Sequence, residues 1–507
     1  MRKRLTALLL TACTVLAVSG CGLLPGGRAL GDAGASDSGG SGTSSGSSEG
    51  GGDTVRILSG SENQELEEII EDCADKAGVR IEMDYKGSVD IMRELQSGAD
   101  GYDAVWPASS MWISLGDTGH LVKHSQSVSL TPVVFGIRQS LAEELGFVGT
   151  DVSVKDILSA ITDGKMTFCM TSATQSNSGA SAYIGFLYAL LGKHEGLTAG
   201  DLQNPDLQQE IRTLLAGVER SSGSSDWLKD LFLTGDYDAM VNYECLIIDA
   251  NEQLVSEGKE PLYAVYPYDG LSIADSPLGY VDHGDEDKEN AFLKFQEELM
   301  SSDSQTAIEA AGRRITANGV SDENKNVFNP DWGIDTERIL SPIQMPASDV
   351  LMDALNVYQT NFKKPSLNIY CLDFSGSMTG TGEEQLEEAM AQILIQKNAE
   401  KNLLQANEGE VNIAVLFDDQ VIDVLRAADD SDEALEGLYN EITACSPGGG
   451  TDIYTAAAEA YELAREYDLS QYSPAVILMT DGQSIYNEQV FDNALNPSGE
   501  KIPVFSI

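Results

Sequence analysis

The chain of 507 residues places Asp373, Ser375 and Ser377 two apart, directly after Leu367-Asn-Ile-Tyr-Cys-Leu372, an apolar run that reads as a buried strand. One carboxylate and two hydroxyls at the end of such a strand can aim three oxygens at one point. Hard oxygen donors suit Mg²⁺ first, with Ca²⁺ or Mn²⁺ as alternatives, because a small site that leaves room for water or a ligand favours the smaller, octahedral ion. The chemistry implied is metal-dependent capture of a partner. Two later loops hold further oxygens. In Cys445-Ser-Pro-Gly-Gly-Gly-Thr451-Asp452 the glycines allow close backbone approach and Thr451 opens a helix. In Met479-Thr480-Asp481-Gly482, Asp481 ends another buried strand. In a doubly wound sheet, loops beyond the carboxyl ends of the strands meet at a topological switch point.

Catalytic signals are scarce. The four histidines are His120, His124, His194 and His283, and none sits by an evident nucleophile. No G-x-S-x-G lies at a strand-to-helix turn. The absence of G-x-x-x-x-G-K-[ST] means that the glycines at 448–450 do not form a nucleotide loop. Asp282-His-Gly-Asp285-Glu-Asp287 lacks calcium-loop spacing and reads as a helix cap. A binding protein, not an enzyme, is expected.

The elements that position these residues alternate. Val55-Arg-Ile-Leu58, 79–85 and 102–106 read as strands, with a helix at 65–76. A run at 133–137 and a second unit follow, with strands at 166–170, 239–243 and 262–266 and helices at 180–191, 291–300 and 306–311. Residues 329–365 read as a connector with a helical piece at 350–359. The alternation then restarts: strands at 367–372, 411–417, 421–425, 475–479 and 502–507, and helices at 383–404 and 453–464. Strand–helix alternation predicts an α/β protein with parallel sheets covered on both faces.

The formal net charge of -50 disfavours nucleic acid, whose phosphates need Lys and Arg, and favours cationic partners, metal ions or simple solubility. Arg2-Lys3-Arg4 precedes an apolar run at 5–18, too short for a typical span, and then Val18-Ser19-Gly20-Cys21. This resembles a bacterial lipoprotein box, which implies a signal peptide at 1–20, lipidation of Cys21, and a cell-membrane location on the extracytoplasmic face. The Gly/Ser-rich tract that completes segment 21–53 would spread about 30 Å as a flexible tether. Seven cysteines without C-x-x-C indicate no zinc or redox motif. Cys169 and Cys371 read as small buried hydrophobes.

Residues 366–507 resemble a von Willebrand factor type A domain with a metal-ion-dependent adhesion site, on Asp-x-Ser-x-Ser followed in order by Gly-Gly-Thr-Asp and Thr-Asp-Gly. The resemblance implies a Rossmann-like sheet. It also implies Mg²⁺ held by Asp373, Ser375, Ser377, Thr451 and Asp481, some directly and some through water, with one position open for a carboxylate of a partner protein. The chain ends at Ile507 inside an expected core strand. A full domain of that family would continue, so this one is expected to be C-terminally truncated.

Residues 54–328 resemble the two-lobed type 2 periplasmic-binding-protein fold. The residues that carry the likeness are Leu58-Ser59-Gly-Ser61-Glu62, Trp106-Pro-Ala-Ser109-Ser110, Thr174-Gln-Ser176-Asn-Ser178-Gly179, Asn242-Tyr243-Glu244 and Tyr266-Pro-Tyr268. Serines at helix N-termini offer hydroxyls and free N–H groups to an anion, which Glu244 would disfavour unless a cation or peptide amine is bound. The candidate cleft residues are therefore Ser59, Ser61, Glu62, Ser109, Ser110, Ser176, Ser178 and Glu244. The leading expectation is a lipid-anchored adhesion protein that captures an acidic side chain of an extracellular protein through Mg²⁺. The alternative is a receptor that delivers a small solute to a transporter or sensor, with the second module docking or regulating.

Overall fold

The structure, a computed structural model, describes residues 54–193, 195–316, 319–482, 484–495 and 502–506. The signal peptide, Cys21, the tether and His194 lie outside the described residues.

Three sheets organise the chain. In the first, Arg80–Lys86, Thr54–Gly60 and Ala104–Trp106 run parallel, and Pro277–Val281 joins antiparallel with Val122–Ser127 beyond it. Pro277–Val281 returns to this sheet only after the chain has built the second. There, Thr131–Arg138 pairs antiparallel with Ala239–Tyr243, which is followed by Phe168–Thr171 and Val218–Ser222 in parallel. The chain thus leaves one lobe and comes back, which makes two lobes joined by crossing segments.

The second lobe's core is built around Asn177–Leu191, buried on nearly all sides. A helix that is apolar all round belongs in the interior. Ser348–Val357, within the expected connector, also packs here. It sends Val350, Leu351, Ala354 and Leu355 into the same cluster as Tyr183 and Phe186. Tyr183 donates to the Ala354 carbonyl at 3.0 Å, and its ring lies 5.1 Å from that of Tyr358.

The third sheet has the order Val421–Arg426, Val411–Phe417, Ser366–Asp373, Ser473–Met479, Val504–Ser506. The last four strands in that order run parallel. Period-two alternation divides its side chains between two layers. Tyr370 and Leu372 face the helices Thr381–Leu394 and Asp432–Ile442, whereas Leu367, Ile369 and Cys371 face Ile453–Ala464. Such double coverage explains why these strands are continuously apolar.

One expected helix is corrected. The segment 383–404 is not continuous: Thr381–Leu394 ends at Ile395, whose ψ of 99° is extended, and two short turns follow. Leu403 then adopts φ 51° and is buried in the second-lobe cluster. A left-handed Leu costs about 1–2 kcal/mol, and burying its side chain recovers about 1.5–3. Tertiary burial therefore overrides the helical periodicity. Beside it, Arg93 of the first lobe donates to the Asn402 carbonyl. The third unit thus touches both lobes.

Candidate functional site

Two sets of polar groups converge in the structure. The first lies between the lobes. Gly87 of the first lobe packs so closely on the second that a Cβ there would lie 2.3 Å from the Gln175 carbonyl oxygen, and Val89 N–H donates to that oxygen at 3.4 Å. Trp112 Nε1 donates across the junction to Asn177 Oδ1 at 2.8 Å, and Asn177 Nδ2 donates to Tyr243 Oη at 3.0 Å. The lobes are closed on each other.

Most of the candidate serines are engaged internally. Ser59 Oγ accepts from Asn63 Nδ2 at 3.1 Å, and Ser109 Oγ caps the helix Ser110–Gly116. Ser110 is exposed, and its N–H donates to Asp275. Ser176 and Ser178 share hydrogen bonds with Ser225 at 3.1 and 2.8 Å, and Ser178 also bonds Thr171 at 2.8 Å. Ser61 is buried at the start of the turn Ser61–Leu66. Glu244 is fully buried and forked by Arg314, Nε to Oε1 at 2.7 Å and Nη2 to Oε2 at 2.8 Å, and it also accepts from Tyr266. Its charge is spent inside the fold.

Glu62 differs. It is 5 % exposed, yet its Oε1 has no hydrogen-bond partner; Asn63 Oδ1 and Ser224 Oγ are likewise buried and unpaired. Burial pushes the Glu62 carboxyl up to about 7, although a hydrogen bond from its own backbone N–H, and then Arg313, oppose the shift. Glu65, one helical turn on, is also pushed up to about 7 by burial. It reaches across to Lys229 Nζ at 2.9 Å, which also holds Asp226 at 2.9 Å and Asp249 at 2.6 Å.

Sequence reading missed Asn63, Ser224, Asp226, Lys229 and Arg313. One signal was present. Arg313-Arg314 is an adjacent cationic pair in a chain with 31 Lys and Arg against 81 Asp and Glu, and both arginines are buried. Buried cations in such a chain imply buried carboxylates opposite them.

The second set lies at the carboxyl ends of the third sheet. Strand order reverses at Ser366–Asp373, so its carboxyl end is the switch point. Asp373 and Ser375 are buried there, and Ser377 is exposed. Asp373 Oδ1 accepts from Ser375 N–H at 2.8 Å and its Oδ2 from Thr480 Oγ1 at 2.6 Å, while the Ser375 and Ser377 hydroxyls are 3.1 Å apart. The glycine loop is stitched alongside: Gly448 N–H donates to the Phe374 carbonyl at 2.8 Å and Gly376 N–H to that of Gly449 at 3.2 Å. Gly449 has φ +72°, and a Cβ there would meet Asp418 Oδ2 at 2.5 Å. Only glycine fits on both counts. Thr451 is buried beside this loop, and Asp481 is exposed on the loop after Ser473–Met479. Although partial burial pushes the other way, hydrogen bonds from Asn487, Thr455 and the helix N–H groups hold the Asp452 carboxyl below its usual range. Asp452 is thus committed as a cap.

The structure therefore brings together the loops that carry Asp373, Ser375, Ser377, Thr451 and Asp481, and adds Asp418 and Thr480. Among the described residues no three His, Cys, Asp or Glu side chains group as a metal cage. An ion here would depend on hydroxyl oxygens around Asp373, a donor set of the hard kind that Mg²⁺ accepts. Among the described residues no helix is long and apolar enough to cross a membrane.

Residues 55–314 match the family model described as bacterial extracellular solute-binding protein. No curated protein matches the chain. Among solved structures, a periplasmic binding protein from Actinobacillus pleuropneumoniae with fructose-6-phosphate bound aligns at 13 % identity and TM-score 0.42, over 60 % of this chain and 93 % of its own. The ferric binding protein from Campylobacter jejuni aligns at 14 % identity and TM-score 0.43, over 60 % and 98 %. A transporter solute-binding protein from Thermotoga lettingae bound with α-D-tagatose aligns at 16 % identity and TM-score 0.43, over 69 % and 100 %.

Proposed function

Because this chain belongs to the bacterial extracellular solute-binding proteins, matched over residues 55–314, we propose that its two lobes enclose a small solute for delivery to a transporter or sensor. The observation that carries this reading is the closed junction with buried, unpaired Glu62 Oε1, Asn63 Oδ1 and Ser224 Oγ. Native polar atoms buried without partners are rare, and a ligand supplies what they lack. Native mass spectrometry of the full chain, gently purified, tests it. A small molecule retained at one per chain is expected, and bare protein that no solute shifts in a thermal-melt screen would defeat it.

The reading extends to two further parts. At the switch point of the third sheet, Asp373, Ser375, Ser377, Thr451 and Asp481 would hold Mg²⁺, in the manner of a von Willebrand factor type A domain. The ion would supply a Lewis-acidic position for a carboxylate of a docking protein. Support comes from the three hydroxyls, the buried Asp373 and the glycine loop hydrogen-bonded to the backbone at Phe374 and Gly376. Addition of Mg²⁺ should raise the melting temperature, and Asp373→Ala should abolish that rise; a mutant that responds like the parent would remove the assignment. Lipidation of Cys21 would tether the protein outside the cytoplasm. Cys21→Ala should then move it from the membrane to the soluble fraction, and its retention in the membrane would refute the anchor.

A further inference from the structure

We propose that the interlobe cleft takes a cationic amine, whose N–H groups donate to Glu62 Oε1 and Asn63 Oδ1. The inference rests on the solute-binding reading and names the substrate class.

Three observations carry it. First, two of the three unpaired junction atoms, Glu62 Oε1 and Asn63 Oδ1, can only accept, and the third, Ser224 Oγ, can accept as well as donate. Asn63 spends its Nδ2 on Ser59 and leaves Oδ1 open, and Glu62 leaves Oε1 open. A buried acceptor lacks a donor, and an entering ligand with N–H groups can bring one.

Second, the charges around Glu62 are unbalanced. Arg313 donates to the Glu62 carbonyl oxygen and lies 3.8 Å from Glu65, while Lys229 is held by Glu65, Asp226 and Asp249. Two cations thus face four carboxylates, counting Glu62. Tyr243 of the second lobe, whose hydroxyl burial pushes up with Glu62 adding to the effect, offers no positive charge. An entering ammonium would complete the set, because a buried carboxylate is costly unless paired.

Third, the groups that would serve an anion are consumed. Ser176 and Ser178 bond to Ser225, and Ser178 also to Thr171. Arg314, the other buried cation nearby, is forked on Glu244. An anion would meet the Glu62 carboxylate, and the charge of Arg314, although its Nη1 makes no hydrogen bond, is already neutralised by Glu244.

Ionisation of Glu62, with its carboxyl raised to about 7, sets the pH dependence. An ammonium binds the carboxylate form, so affinity rises from pH 6 to pH 8.

The test is calorimetry and thermal shift of the full chain with 1,4-diaminobutane, agmatine, glucose and citrate, at pH 6 and pH 8. The amines should bind, more tightly at pH 8, and glucose and citrate should not. Glu62→Gln should weaken the amines about tenfold to hundredfold, the range of a hydrogen bond to a charged group. It should also leave the ligand-free protein folded and melting no lower than the parent at pH 8, since it removes a buried charge. Binding of glucose or citrate alone, an unaltered amine affinity in Glu62→Gln, or a co-purified solute of another class overturns the amine assignment and leaves solute binding standing. Response to no probe, with no co-purified solute, removes both.

Discussion

Glu244→Ala should destabilise the solute-binding unit by about 3–5 kcal/mol, the cost of removing one partner from a fully buried ion pair. Arg314 would be left with its guanidinium in the core, 2 % exposed and stripped of two charge-assisted hydrogen bonds. Its Nη1 already lacks a partner. Tyr266 would lose its acceptor as well. The position magnifies the effect. Arg314 pairs its backbone with Leu130, next to the strand Thr131–Arg138, so the pair holds segments that pass between the lobes. Chemical denaturation of the variant and of Glu244→Ala/Arg314→Leu measures it. The double variant should recover part of the loss because no buried charge is left alone. A single-variant loss below about 1 kcal/mol would show that water reaches the pair and that it is not a structural staple.

Lys229→Met should be the next most damaging change, and its consequence is conformational. Lys229 stands between Glu65 of the first lobe and Asp226 and Asp249 of the second. Without it, carboxylates from both lobes repel across the junction. A loss of about 3 kcal/mol, the low end for a broken buried pair, and a larger radius of gyration are expected. The defect should shrink as pH falls. Glu65 has a folded-state carboxyl raised to about 7 from 4.5. Between those values the folded state binds more protons than the unfolded one, so its burial costs most above pH 7 and is relieved on acidification. Small-angle scattering and melting at pH 8 and pH 5.5 read this directly. Equal defects at both pH values would show that Glu65 does not carry the repulsion.

The two families of contact differ in how far the sequence exposed them. Apolar runs such as Leu367–Leu372 and 475–479 announced their strands because buried parallel strands must be apolar throughout. Two loops of the third sheet were legible for the same reason: each follows such a strand, so Asp373 and Asp481 had to lie at its carboxyl edge. The solute-binding resemblance, read from pattern alone, agrees with the family match over 55–314. The cleft was less legible. Of the residues singled out there, Ser59, Ser176 and Ser178 are bound among neighbours, and Glu244 is paired with Arg314, 70 positions away. No local pattern links partners at that separation.

The sequence by itself determined the long apolar strands, the glycines of the loop at 448–450, and the set of hydroxyls and carboxylates at strand ends. The short or polar strands Val122–Ser127, Val218–Ser222, Ser272–Ala274 and Pro277–Val281, and helices such as Asp432–Ile442, were not read from it. Short-range sterics and burial periodicity act within a few residues, and so they are written locally. Only the tertiary structure decided which carboxylates are satisfied. Glu244 and Glu62 look alike in the chain, yet Arg314 neutralises one and no donor reaches Oε1 of the other. Likewise Leu403 leaves its expected helix because a distant core receives it. Desolvation and pairing depend on groups brought together from remote positions, and those are set by how the lobes close.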